Sequence, residues 1–197
     1  VESPLGRIHL IADLDVLDAR ADAVDRITEL LAAGLPSLSL RGPGRPPADM
    51  VRAGRPLRDA CRKHGAFFVV NGPEPVVREL DADGWHRPAA ADAPPRAWDR
   101  PWGRSAHDAG ELTRAASAHW VFVSPVFPTV SKPAAIGIGL GGLAALAERS
   151  KVPVYALGGI TANRDAPCRA AGAAGVAAVR GLLGPGGEDW VRRVVSA

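Results

Sequence analysis

Six apolar runs in this 197-residue chain end on residues able to bind an anion or move a proton. "LPSLSLR" ends on Arg41, a planar cation that can pair with a carboxylate. "AFFVVN" ends on Asn71, whose amide can donate to a heteroatom. "ADGWHR" and "WGRSAH" bring in His86 and His107, imidazoles that exchange protons near neutral pH. "VPVYALGG" stops on Gly158 and Gly159, and "GVAAVRG" carries Val179 and Arg180 into Gly181. Glycines after a strand expose main-chain N–H groups to an anion, and an arginine beside them adds a charge-assisted fork. A plain strand-to-helix turn is the alternative for the glycine pair.

These residues need a scaffold that collects strand ends. Apolar runs recur at 8–13, 35–41, 66–71, 82–87, 102–107, 119–125, 152–159 and 175–181. Several are continuously apolar, as suits strands covered on both faces. Helical spacing fills the intervals at 21–34, 48–65, 140–150 and, as a short helix, 165–175, with Pro56 expected to limit or kink the second. The stretch 87–101, "RPAAADAPPRAWDRP", reads as an irregular connection, and "GEDWVRRVVSA" as a closing helix. Eight strand–helix repeats predict a (β/α)8 TIM barrel, α/β in class, as a single domain over residues 1–197. A doubly wound open sheet is the alternative. In a barrel the strand ends above meet at one mouth, where the loops after strands 7 and 8 often hold phosphate.

Bulk composition excludes little else. The chain has 24 basic and 21 acidic residues, a formal charge of +3, and no basic stripe interleaved with aromatics, so a nucleic-acid partner is not expected. No apolar stretch approaches the roughly 18 residues a membrane helix needs, and no signal-peptide pattern opens the chain, so a cytoplasmic protein is expected. Cys61 and Cys168 make no metal or redox spacing and read as reduced core residues. A homo-oligomer is compatible with the sequence and not specified by it.

The ordered motifs "SPVFPTVSKPA" (124–134), "VPVYALGGITANRD" and "AAGAAGVAAVRGLL", preceded by "SLSLR", "FFVVN" and "GRSAH", resemble the thiamine-phosphate synthase/TenI family over nearly the whole chain. The resemblance implies a (β/α)8 barrel acting on a thiazole phosphate. It also implies that Gly158, Gly159, Val179 and Arg180 bind phosphate, and that Thr129, Ser131 and Lys132 bind substrate phosphate or carboxylate on the loop after strand 6. Arg41, Asn71 and Ser105 would complete the substrate contacts.

The family holds two chemistries. The synthase joins a pyrimidine diphosphate to the thiazole phosphate and needs Mg2+ on carboxylate oxygens. The TenI-like branch shifts a proton on a carboxylated thiazole phosphate and needs an acid/base but no metal. Several family positions differ here. The acid expected after Asn71 is Gly72, that of the strand-4 loop is Ala91 with Asp92 one position late, and the Gln and Lys flanking Arg41 are Ser39 and Pro43. These departures favour a thiazole tautomerase with His107 as its catalytic residue, no metal site and no cofactor. A diverged synthase using Mg2+, with Glu74 or Asp92 as a rebuilt ligand, is one alternative; a non-catalytic binder of thiazole or thiamine phosphate is another. Synthases also carry a histidine at the His107 position, where it need not be catalytic. His86 is a second acid/base candidate, or a packed, hydrogen-bonded residue of the interior.

Overall fold

A computed structural model describes residues 3–131 and 134–196. Its parallel strands run in chain order around a closed barrel, which is the (β/α)8 architecture and not the open sheet. They are β1 (Ile8–Asp13), β2 (Ser37–Arg41), β3 (Phe67–Asn71), β4 (Gly84–Arg87), β5 (Trp102–Ala106), β6 (Trp120–Val123), β7 (Val154–Leu157) and β8 (Gly175–Ala178). The helices are α1 (Leu14–Asp18), α2 (Ala23–Ala32), α3 (Pro47–His64), α4 (Glu74–Glu79), α5 (Ala109–Arg114), α6 (Gly139–Arg149), α7 (Ala162–Ala170), α8 (Arg180–Leu183) and α9 (Gly187–Val195).

Two helix readings change. Pro56 does not interrupt α3, which runs for 18 residues and stops at Gly65 in the left-handed region (φ 69°). The carbonyl deprived of its partner by Pro56 is that of Arg52, on the exposed side of the helix where water can serve it. The helix expected over 165–175 begins earlier, after Thr161 at the N-cap, and ends at Ala170. The connection 88–101 carries no helix, as its prolines require.

The chain divides into two compact units. One holds Pro4–His86 with Val179–Ala197, and the other holds Ser3 with Arg87–Ala178. In the first, the register aligns Asp13 with Arg41 and Arg41 with Asn71. Side chains alternate across a strand, so His9, Ile11 and Asp13 share one face with Ser37, Ser39 and Arg41. That face is polar although buried. His9 is fully buried, with Nδ1 2.7 Å from Ser37 Oγ and Nε2 2.9 Å from Ser39 Oγ. Ser37 spends its hydroxyl proton on the Leu5 carbonyl (2.6 Å). Ser37 must therefore accept from Nδ1–H; burial lowers the His9 pKa to about 3, so the ring is neutral and Nε2 accepts from the Ser39 hydroxyl.

In the second unit the equivalent face is aromatic. Phe122 and Tyr155 meet edge to face with centroids 6.1 Å apart, and Trp120 is fully buried. Gly103 makes room for Trp120: a Cβ there would lie 2.0 Å from the indole Cε2 and Nε1. We expect Gly103→Ala to cost at least about 3 kcal/mol, the upper range for overpacking; an unchanged urea midpoint would contradict that packing. On the outer face of β5, buried Arg104 does work a helix would otherwise do for the 88–101 connection. It donates to the carbonyls of Ala89 (2.9 Å), Ala91 and Arg114 (3.1 Å). Burial lowers its pKa, with the Arg114 charge a secondary cause.

Candidate active site

The strand ends hold the residues expected there. In the first unit Asp13 ends β1 and is committed twice. Its Oδ1 accepts the Asp15 N–H (3.1 Å) to cap α1, and its Oδ2 pairs with the Arg41 guanidinium. Asn71, half-buried, ends β3 beside Arg41 in the register. Just past β2, Arg45 bridges Asp15 (2.8 Å) and Asp18 (2.7 Å). His86 on β4 is 1% exposed, and burial aided by the Arg41 charge lowers its pKa to about 3. It belongs to the packed interior, the second of the two readings given for it. Val179 follows β8, and Arg180, exposed, opens α8.

In the second unit Ser105 and His107 alternate with Ala106 along β5 and its end. His107 is held by a contact the strand-end reading missed. Glu111 Oε2 lies 2.7 Å from His107 Nδ1 and also accepts the His107 main-chain N–H at 2.8 Å. Asp108 at the N-cap of α5 accepts the Glu111 N–H at 2.8 Å. The sequence "HDAGE" carries part of the signal: an N-cap aspartate with glutamate three residues on is a capping box, which predicts a glutamate returning to the cap, whereas its reach one residue further to His107 is seen only in the structure.

The glycine pair is shaped by the loop after β6. Gly158 and Gly159 have φ of 95° and 64°. A Cβ at Gly158 would stand 2.8 Å from Pro125 Cα, and one at Gly159 2.5 Å from the Pro128 carbonyl. The carbonyls of this turn are all used: Leu157 accepts from Val126 N–H (2.9 Å), Gly158 from Phe127 N–H (3.1 Å) and Gly159 from Arg164 (2.5 Å). Arg164 also lies over the Phe127 ring, 4.3 Å from its centroid. The turn reading and the anion reading are therefore compatible. Packing of the loop consumes carbonyls, whereas a phosphate draws on N–H groups. On the same loop Thr129 is half-buried and Ser131 exposed, while Lys132 lies outside the described residues.

Among the described residues, each position considered for a synthase-type Mg2+ carboxylate is otherwise engaged or lacks the acid. A Cβ at Gly72 would meet Met50 Cε at 2.8 Å, and the Gly72 carbonyl accepts from Trp85 Nε1 at 2.8 Å. Glu74 is paired with Arg78 (2.6 Å). Asp92 is exposed, and its carbonyl accepts from Arg87 Nε (2.6 Å). Among the described residues no three His, Cys, Asp or Glu side chains are grouped to hold a metal ion. Two hollows in the first unit, about 410 and 430 Å³, are elsewhere: one is lined by Arg26, Glu188 and Asp189, the other by Arg58, Phe67 and Asp83. The latter lies at the starts of β3 and β4, away from the strand ends just described. Cys61 and Cys168 are buried free thiols, pushed up to about 12 and about 11 by burial, and so are inert.

A family model described as "Thiamine monophosphate synthase" (TMP-TENI) matches residues 8–182. The chain belongs to that family. Among curated members, the bifunctional thiamine biosynthesis protein ThiM/ThiE of Symbiobacterium thermophilum is 37% identical over 87% of this chain and 37% of its own length. The thiamine-phosphate synthase of Mycobacterium avium is 34% identical over 90% of this chain and 87% of its own length. The chain thus spans well under half of the bifunctional relative and most of the other. A solved structure, thiamine phosphate pyrophosphorylase from Pyrococcus furiosus, superposes with a TM-score of 0.82 at 25% identity, covering 98% of this chain and 95% of that one. No helix among the described residues is long and apolar enough to cross a membrane.

Proposed function

We propose that this TMP-TENI chain is a thiazole tautomerase, an isomerase that aromatises a carboxythiazole phosphate without a metal. The observation that carries the reading is Gly72, whose missing side chain is packed over by Met50 where a metal-binding carboxylate would be needed. Glu74, held by Arg78, and Asp13, held by Arg41, do not replace it. A reaction that moves only a proton makes no such demand. His107 then serves as the base and acid. One ring nitrogen removes the proton from the thiazole ring carbon, the electron pair passes into the ring, and the same proton is returned at the exocyclic carbon. Substrate and product are isomers, so nothing else is consumed.

The phosphate is assigned to the N–H groups of Gly158 and Gly159, with Thr129, Ser131 and Lys132 on the neighbouring loop. Val179 and Arg180 are assigned to phosphate separately, by the family resemblance. Arg41 and Asn71 are assigned to the substrate carboxylate and ring heteroatoms, and Ser105 to the ring.

The names of the relatives favour a second reading, a synthase joining a pyrimidine diphosphate to thiazole phosphate. The test is to supply the unaromatised carboxythiazole phosphate and follow ring absorbance. Turnover at the same rate with and without EDTA is expected. Binding without turnover would make the chain a non-catalytic binder, and loss of turnover in EDTA would remove the metal-independent reading.

A further inference from the structure

We infer that Glu111 is a positioning residue that sets the tautomer of His107 and stabilises its protonated form; the inference rests on the tautomerase reading for its kinetic consequence but not for its spectroscopic one. In an ordinary capping box the glutamate of the first turn returns to the N–H of the N-cap residue itself. Here the carboxylate passes over Asp108 and puts one oxygen on both the ring Nδ1 (2.7 Å) and the main-chain N–H (2.8 Å) of His107. Two anchors on one residue fix both the ring and the backbone that carries it. The carboxylate is itself fixed. Its backbone N–H is bound by Asp108 (2.8 Å), its side chain is about one-fifth exposed, and the guanidinium of Arg114 stands 3.8 Å from its other oxygen.

An ionised carboxylate only accepts, so Nδ1 must carry the proton and Nε2 the lone pair. When Nε2 takes a proton from the thiazole ring carbon, the imidazolium is held against Glu111. The Nδ1–H bond to the carboxylate then becomes charge-assisted on both sides. The proton leaves Nε2 for the exocyclic carbon and the neutral tautomer returns. A carboxylate that served only as a helix cap would leave the ring free to choose the other nitrogen.

The experiment combines ring 15N NMR of histidine-labelled protein with kinetics of Glu111→Gln, which keeps an acceptor and removes the charge, and Glu111→Ala. The expected result is an Nδ1–H resonance for His107 in the unmodified protein, lost in Glu111→Ala. With Glu111→Gln, kcat should fall about tenfold to a hundredfold at nearly constant KM, and the acid limb of the kcat–pH profile should move to lower pH. A ring already in the Nε2–H form would overturn the inference whatever the activity. So would kcat and pH profile unchanged in Glu111→Gln while His107→Asn is inactive. Full turnover by His107→Asn would instead remove the tautomerase mechanism and leave the NMR result standing.

Discussion

His107→Asn should lower thiazole turnover by about 10²- to 10⁴-fold, the range for loss of a general acid/base, with KM changed by no more than a few-fold. Asparagine is of similar breadth and keeps a donor toward Glu111, so the first turn of α5 has reason to survive. Its amide cannot accept and return a proton near neutral pH. His107 is partly exposed, with 36% of its side chain open to solvent, so its replacement opens no cavity of the kind that destabilises a core. A folded variant that binds the thiazole phosphate and does not isomerise it is the expected outcome, read by ring absorbance beside a melting curve. Retained turnover would take His107 out of the reaction.

Lowering the pH below 6.5 should destabilise the protein steeply, through two histidines that take no part in that step. His9 and His86 have their pKa lowered to about 3, in both cases chiefly by burial. The secondary cause is His86 for the former and the Arg41 guanidinium for the latter. The unfolded chain binds these protons at about pH 6.5 and the folded one only near pH 3. Their stabilisation is complete above pH 6.5 and is lost progressively as the pH falls toward 3. Within that window each residue contributes a slope of about 1.4 kcal/mol per pH unit. Together they should lower Tm by about 5–10 °C per pH unit for a chain of this size. Protonating His9 would also force Nε2 to donate to Ser39 Oγ, reversing a hydrogen bond that runs the other way. A double variant, His9→Gln with His86→Gln, should flatten the profile between pH 6 and 4. A Tm independent of pH in that interval would contradict the neutral buried pair.

The barrel was legible because continuous apolar runs and helical runs alternate in the sequence, and the strand ends fall within three residues of where those runs stop. The short helices α4 and α5 were not, since six-residue helices barely complete a hydrophobic period. Gly158 and Gly159 could be seen as a pair in the sequence, but the reason for them could not. Their positive φ and the closeness of Pro125 and Pro128 are tertiary facts, supplied by a loop 30 residues upstream. Glu111 was hidden differently. Four positions after His107 it looks like an ordinary helix-start acid, and only the side-chain geometry shows that its carboxylate reaches past Asp108. The polar interior of His9, Ser37 and Ser39 also escaped pattern reading, because buried polar residues on a strand look like a solvent face until the barrel closes over them.

The most direct test is a side-by-side assay of one preparation. In one arm it receives carboxythiazole phosphate with EDTA, and in the other thiazole phosphate, pyrimidine diphosphate and Mg2+. Aromatisation in the first arm and no thiamine phosphate in the second is the predicted result. Mg2+-dependent thiamine phosphate in the second arm, with no ring change in the first, would contradict it.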